Sequence, residues 1–71
     1  MINANLLRGK IVAAGFTQGE FAERLMMSKN TLSAKINGRS DFSLGEIREI
    51  RKVLGITAQE ILDIFLPEQS Q

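Results

Sequence analysis

The stretch FTQGEFAERLMMSKNTLSAKING, from Phe16 to Gly38, decides the fold of this chain. It predicts two short helices, because apolar residues recur at helical spacing on both sides of a short link. The link contains only Met26, Met27 and Ser28. A connection of three or four residues forces two helices to cross steeply. The remaining sequence predicts helices that support this pair.

Ser and Thr residues mark where the helices begin. In three places such a residue is followed, three positions later, by Glu, which predicts a capping box at Thr17 with Glu20, Ser43 with Glu46, and Thr57 with Glu60. Ser28 has the same capping position without an acid in the first turn. With the apolar periodicity of the first residues, these signals predict five helices and no strand, the helices lying at 3–14, 18–25, 29–36, 44–54 and 58–65.

The apolar positions of these helices predict a single core. On the last four helices we expect the buried side chains to be Phe21, Ala22, Leu25, Leu32, Ile36, Leu44, Ile47, Ile50, Leu54, Ile61, Leu62 and Phe65. Successive residues of an α-helix are rotated by 100°, so if Leu32 is buried, Asn30, Ser33 and Ala34 face outward. The steep crossing and this exposed second helix form a helix-turn-helix motif.

Length and composition limit the classes of protein. A chain of 71 residues accommodates one domain, which we place at 1–66 with a frayed tail at 67–71. Neither Cys nor His is present, which excludes disulfides, zinc sites and the usual catalytic triads. We therefore expect no cofactor and no enzyme activity. No segment has the length and apolar character of a membrane span, so we expect a cytoplasmic protein that does not bind membranes.

The net charge of +1 is unevenly distributed, since residues 24–39 contain four basic and no acidic residues. Such a segment forms either a solvated basic surface or a surface that binds nucleic acid. The small and polar residues on the outward face of the second helix favour the second interpretation. A helix of this kind fits the major groove, where Asn pairs with adenine and Lys with guanine acceptors.

These residues together resemble a known family. The pattern comprises Thr17, Gln18, Glu20, Phe21, Ala22, Leu25, Ser28, Thr31-Leu32-Ser33, Asn37-Gly38-Arg39 and Leu54-Gly55-Ile56. It is similar to the Xre and phage-repressor helix-turn-helix family over nearly the whole chain. The resemblance implies a compact all-α domain of five helices, lambda-repressor-like, that acts as a sequence-specific transcriptional regulator. Residues 33–47 and 64–66 look like the small regulators of phages and mobile elements in Gram-positive bacteria.

The resemblance and the outward face of the second helix together predict which residues contact a double-stranded DNA operator. The base-reading positions are Lys29, Asn30, Ser33 and Ala34. The phosphate-binding positions are Thr17, Gln18, Ser28, Thr31, Lys35, Asn37 and Arg39. Lys35 replaces an apolar residue of the family and is expected to turn toward DNA or solvent. No small-molecule ligand is implied.

A homodimer on DNA is expected, because one such unit meets only a half-site. Ile64, Phe65 and Leu66 form an apolar end to the last helix and are candidates for its interface. The other interpretation is that they complete the core of the monomer. For the whole protein, the alternative function is a protein-interaction or antitoxin-like module with the same helical fold.

Two positions depart from the family pattern. Met26 stands where many relatives have glycine with positive φ, so either the turn is strained or its geometry shifts. Ile11 and Ile36 stand where some relatives have a buried ion pair. Because packed apolar groups can replace such a pair without loss of stability, we expect these two side chains to touch.

Overall fold

The computed structural model describes residues 1–69 and is all-helical over that range. Its elements are α1 (Ala4–Ala13), α2 (Gln18–Arg24), α3 (Lys29–Ile36), α4 (Leu44–Leu54), α5 (Ala58–Phe65) and a final 3-10 turn (Pro67–Gln69). The five predicted helices are confirmed, and each helix begins and ends within one residue of its predicted position. The last two positions of the predicted frayed tail, 70 and 71, lie outside the described residues. Within residues 1–69, no helix has the length and apolar character needed to cross a membrane.

The predicted helix starts are confirmed. In each capping box the hydroxyl accepts from the backbone N–H of the Glu, while the carboxylate accepts from the backbone N–H of the capping residue; the pairs are Thr17 with Glu20, Ser43 with Glu46, and Thr57 with Glu60. At α3, Ser28 Oγ accepts from the N–H of Thr31 at 3.0 Å. These bonds satisfy N–H groups that the helices leave free, which explains why each helix begins where it does.

Two of the capping acids have a second function. Glu60 accepts from Lys10 Nζ of α1 at 2.5 Å, and Glu46 accepts from Lys35 Nζ of α3 at 2.7 Å. The hydrogen bond from Lys10, with that from the backbone of Thr57, lowers the pKa of Glu60 from 4.5 to about 2. Lys35 and the Ser43 backbone likewise lower the pKa of Glu46. Each acid therefore both caps its own helix and joins it to another.

The Glu60 contacts predict a loss of stability in acid. Because the carboxyl has a lower pKa in the folded chain, its stabilising contribution is complete above about 4.5 and is lost as the pH falls toward 2. Glu60→Gln should be less stable at neutral pH and lose less stability on acidification than the wild type. Urea denaturation at pH values on both sides of this window measures the difference. Glu49→Gln is the control, since Glu49 is exposed and makes no ion pair within residues 1–69, and an equal acid response for both variants would contradict the prediction.

The five helices enclose one core. α2 packs against α1 and α3, and α5 packs against α1 and α4. The buried side chains that fill the space between them are Leu7, Ile11, Phe21, Ala22, Leu25, Leu32, Ile36, Ile50 and Ile64. Ile11 and Ile36 are 2% and 1% exposed and belong to this same cluster, as their expected contact requires.

The buried side of α5 differs from the prediction. Ile64, expected to lie off the buried stripe, is 0% exposed, whereas Leu62, expected in the core, is 37% exposed. Leu44, also predicted to be buried, is 64% exposed in the first turn of α4. The backbone N–H of Asn3 donates to the Ile64 carbonyl at 2.7 Å, so the segment before α1 covers this part of α5. Ile64 is therefore a core residue of the monomer.

The link between α2 and α3 keeps the backbone geometry that glycine favours. Met26 has φ of +59°, and its side chain is 93% exposed. The N–H groups of Met26 and Met27 donate to the carbonyls of Glu23 and Ala22, both at 3.0 Å, which ends α2 with a left-handed residue. The sequence left two possibilities, a strained turn or a turn of different geometry. The positive φ of Met26 shows that the turn keeps its geometry and is strained.

Replacing Met26 by glycine should therefore stabilise the protein. The left-handed conformation costs a non-glycine residue about 1 kcal/mol or more, which glycine would avoid. Part of this stabilisation is offset, because glycine also increases the conformational entropy of the unfolded chain. We expect Met26→Gly to raise the free energy of unfolding by up to about 1 kcal/mol in urea denaturation. Met27→Gly, at a partly buried neighbour packed on the core, should lower it. A destabilised Met26→Gly variant would show that the turn is unstrained.

Candidate nucleic-acid interface

The relation between α2 and α3 is fixed by buried side chains on both. One buried cluster contains residues of both helices. They are Phe21 and Ala22 of α2, Leu25 at the end of α2, and Leu32 and Ile36 of α3. Leu32 and Ile36 are 0% and 1% exposed, one turn apart. They hold one side of α3 against the core and leave its opposite side at the surface. The predicted orientation of α3 follows from these two anchors.

Three of the four predicted base-reading residues, Asn30, Ser33 and Ala34, lie on that opposite side, and the fourth, Lys29, is the first residue of α3. Lys29 and Asn30 are exposed, whereas Ser33 and Ala34 are partly buried. The Lys29 side chain runs beside Gly19 of α2, where its Cδ would lie 3.8 Å from an added Cβ. Within residues 1–69, neither Lys29 nor Asn30 has a hydrogen-bond or ion-pair partner. The hydrogen-bonding groups of these two side chains are therefore available to a ligand.

The first turn of α2 is partly occupied by its own capping contacts. Thr17 Oγ1 accepts from the Glu20 N–H at 3.1 Å, and the Thr17 N–H donates to the Glu20 carboxylate at 2.8 Å. The hydrogen bonds from Thr17, from its backbone first and its side chain second, lower the pKa of Glu20. Gln18 is partly buried and has no hydrogen-bond partner in the described part of the chain. Gln18 thus has more free hydrogen-bonding capacity than Thr17.

The hydroxyl groups at the start of α3 bond to each other. Ser28 Oγ donates to Thr31 Oγ1 at 2.9 Å while it accepts from the Thr31 N–H at 3.0 Å. The Ser28 proton is therefore used inside the protein. The Thr31 hydroxyl still has its own proton to donate.

Lys35 does not turn toward DNA or solvent, contrary to the expectation from the sequence. Its side chain is 15% exposed, and its ammonium donates to both carboxylate oxygens of Glu46, at 2.7 and 3.0 Å. The same ammonium lies 6.0 Å from the centroid of the Phe42 ring. Lys35 therefore joins α3 to α4, and a phosphate contact would require this ion pair to open.

The basic segment consequently has fewer free charges than its sequence indicates. The Arg24 guanidinium lies over the Phe16 ring, 5.0 Å from its centroid, a cation–π arrangement that holds it against the residue before α2. With Lys35 paired as well, Lys29 and Arg39 are the two cations of residues 24–39 without a described partner. These two cations lie at the start of α3 and just after its end.

The loop after α3 contains a contact that the sequence did not indicate. Asn37 Oδ1 accepts from Arg8 Nη2 of α1 at 2.6 Å, and Asn37 Nδ2 donates to Ser33 Oγ at 3.4 Å. Arg39 is exposed, and its N–H donates to the Ala34 carbonyl at 2.9 Å. Nothing in the local pattern around Arg8 points to this site, because Asn37 lies 29 residues further along the chain.

The helices and their packing thus define a helix-turn-helix domain whose second helix is exposed. Comparison with protein families identifies it further, since the family described as Helix-turn-helix matches residues 7–61. The chain belongs to this family, that of the Xre, Cro and lambda-repressor-like domains, which confirms the resemblance seen in the sequence. It is a DNA-binding helix-turn-helix regulator. No curated protein and no solved structure matches the chain significantly.

Proposed function

We propose that the protein is a sequence-specific repressor of the phage or mobile-element type, which places α3 in the major groove of its operator. The observation that carries the proposal is the pair Lys29 and Asn30, exposed at the start of α3 without a partner in residues 1–69. Asn can bond both N6 and N7 of adenine, and Lys can bond O6 and N7 of guanine. A regulator of this type works in the bacterial cytoplasm, where its DNA lies.

Phosphate contacts would fix the protein on either side of the bases. We place them at Gln18 and Arg39, whose side-chain polar groups have no described partner, and at Thr31, which keeps a hydroxyl proton. Ala34 is the position for apolar contact with a thymine methyl group.

The other four members of the predicted phosphate-binding set are engaged internally. Lys35 is paired with Glu46, and the Ser28 proton bonds to Thr31. Asn37 bonds to Arg8 and Ser33, and the Thr17 side chain bonds to Glu20.

We also infer that a second copy of the chain binds beside α5. A groove of about 660 Å³, with Met1, Ile2, Phe65 and Leu66 among its lining residues, opens there. Leu66 is 49% exposed and Leu62 is 37% exposed, and both side chains line this groove. Since operators for such domains have two half-sites, a two-fold partner is the occupant that fits. Phe65 and Leu66 remain the proposed contacts, and Leu62 replaces Ile64.

Selection of binding sites from random double-stranded DNA tests this function. We expect an enriched sequence with two half-sites about one helical turn apart. Affinity for that sequence should fall with salt, with a log-log slope near −0.9 for each phosphate contacted. Failure to enrich any sequence would contradict the proposal and favour the protein-interaction alternative.

A further inference from the structure

Three polar side chains form a chain of hydrogen bonds from α1 to the outward face of α3. Arg8 Nη2 donates to Asn37 Oδ1 at 2.6 Å, and Asn37 Nδ2 donates to Ser33 Oγ at 3.4 Å. The backbone also holds Asn37 next to Ser33, because the Asn37 N–H donates to the Ser33 carbonyl at 2.9 Å. The chain of bonds therefore ends at one of the four residues expected to face base edges.

Arg8 sets the direction of these hydrogen bonds. A guanidinium group donates hydrogen bonds and cannot accept them. It therefore holds the amide oxygen of Asn37 toward α1 and turns the amide nitrogen toward Ser33. The Ser33 oxygen then accepts from Asn37, and its single proton stays available to a partner outside the chain.

We propose that Arg8 is a positioning residue for DNA recognition, which makes Ser33 a hydrogen-bond donor toward an acceptor on a base edge in the major groove. The inference rests on the proposed function of α3. Acceptors in the major groove are N7 of purines, O6 of guanine and O4 of thymine, whereas cytosine presents its N4 donor. The base facing Ser33 is therefore expected to be a purine or thymine, and cytosine is disfavoured.

A base edge suits Ser33 better than a phosphate because of its position on α3. Ser33 follows Asn30 by three residues and precedes Ala34, so these three side chains share one face of the helix. Phosphate oxygens are acceptors of the same chemistry. The two kinds of acceptor are separable, since a phosphate contact changes the affinity for all sequences alike and a base contact changes the preference at one position.

Site selection with four proteins tests the inference: wild type, Arg8→Met, Ser33→Ala and the double variant. Arg8→Met keeps the aliphatic part of the side chain and removes its donors. We expect the wild type to disfavour cytosine at one position by roughly tenfold, the scale of a single hydrogen bond. Arg8→Met should reduce this preference to about twofold or less. The double variant should match Ser33→Ala at that position, because both changes remove the same contact.

A second variant keeps the test decisive if Arg8→Met folds poorly. Asn37→Asp still accepts from Arg8 but cannot donate, so the Ser33 hydroxyl turns its proton to the new carboxylate and offers its oxygen to the DNA. The preferred base should then shift toward adenine or cytosine, which present donors. Arg39→Ala is the control and should weaken binding to all sequences without changing the preferred base.

Two results would overturn the inference while leaving the proposed function intact. In one, Arg8→Met weakens binding to all sequences and leaves the preferred base unchanged, which would make Arg8 a phosphate contact. In the other, Arg8→Met alters the preference as strongly in the Ser33→Ala background as in the wild type. A wild-type protein that selects no operator is a different failure, since it overturns the proposed function itself.

Discussion

Replacing Ile64 by alanine is expected to remove about 2 to 5 kcal/mol from the free energy of unfolding, the range for truncating a large aliphatic side chain in a core. Ile64 is 0% exposed, and its carbonyl accepts the Asn3 N–H, so α5 and the segment before α1 meet at this residue. A domain of this size has roughly 5 to 10 kcal/mol of stability in total. Urea denaturation should therefore show a variant near the limit of folding.

Leu62→Ala and Leu66→Ala are the matched controls. Both side chains are large, apolar and near Ile64 in sequence, but they are 37% and 49% exposed. Because these two side chains bury less apolar area on folding, each substitution should lower the free energy of unfolding by about 1 kcal/mol or less. A loss at Leu62 as large as that at Ile64 would mean that α5 buries the side that the sequence predicted. Sedimentation of the same two variants with operator DNA also tests the proposed contact between two copies.

The error on α5 has a definite physical origin. The apolar residues of α5 form one stripe, with Ile61 and Phe65 at its centre and Leu62 and Ile64 at its two edges. Periodicity alone therefore does not decide which of the two edges is buried more deeply. What decides between them is the position of the segment before α1, which lies about sixty residues away in sequence and bonds to the Ile64 carbonyl. Local spacing contains no information about such a contact.

The helix bounds could be predicted because their causes are local. A capping box uses a hydroxyl and a carboxylate three residues apart, and both are visible in the sequence. The same carboxylates at Glu46 and Glu60 also bind Lys35 and Lys10, and this second function could not be predicted. Lys10 lies 50 residues from Glu60, so only the assembled helices bring the charges together.

The same distinction applies to the DNA-binding surface. The outward side of α3 follows from Leu32 and Ile36, two anchors whose spacing is evident in the sequence. The number of free charges does not, since Arg24 and Lys35 are basic in the sequence but engaged with Phe16 and Glu46 in the fold. Charge counts along a chain therefore overestimate the cations available to DNA.

The two free polar groups at opposite ends of α3 should have different effects when removed. Asn30→Ala is expected to weaken binding to the selected operator by about 1 to 3 kcal/mol and to relax the preference at one base position. Arg39→Ala should weaken binding to all sequences alike and reduce the slope of affinity against salt by about one phosphate contact. Binding titrations on the operator and on random DNA, each at several salt concentrations, measure both effects.

This pair of variants separates base recognition from charge because each serves as the control for the other. Asn30 carries no charge, so its removal should leave the salt slope unchanged. Arg39 lies after the end of α3, beyond Gly38 with its φ of +84°, and is directed to the DNA backbone by the proposed docking of α3. Equal losses on operator and random DNA for Asn30→Ala would show that Asn30 does not contact a base. A change of preferred base for Arg39→Ala would instead move base recognition to the end of α3, and the orientation of α3 in the groove would have to be reversed.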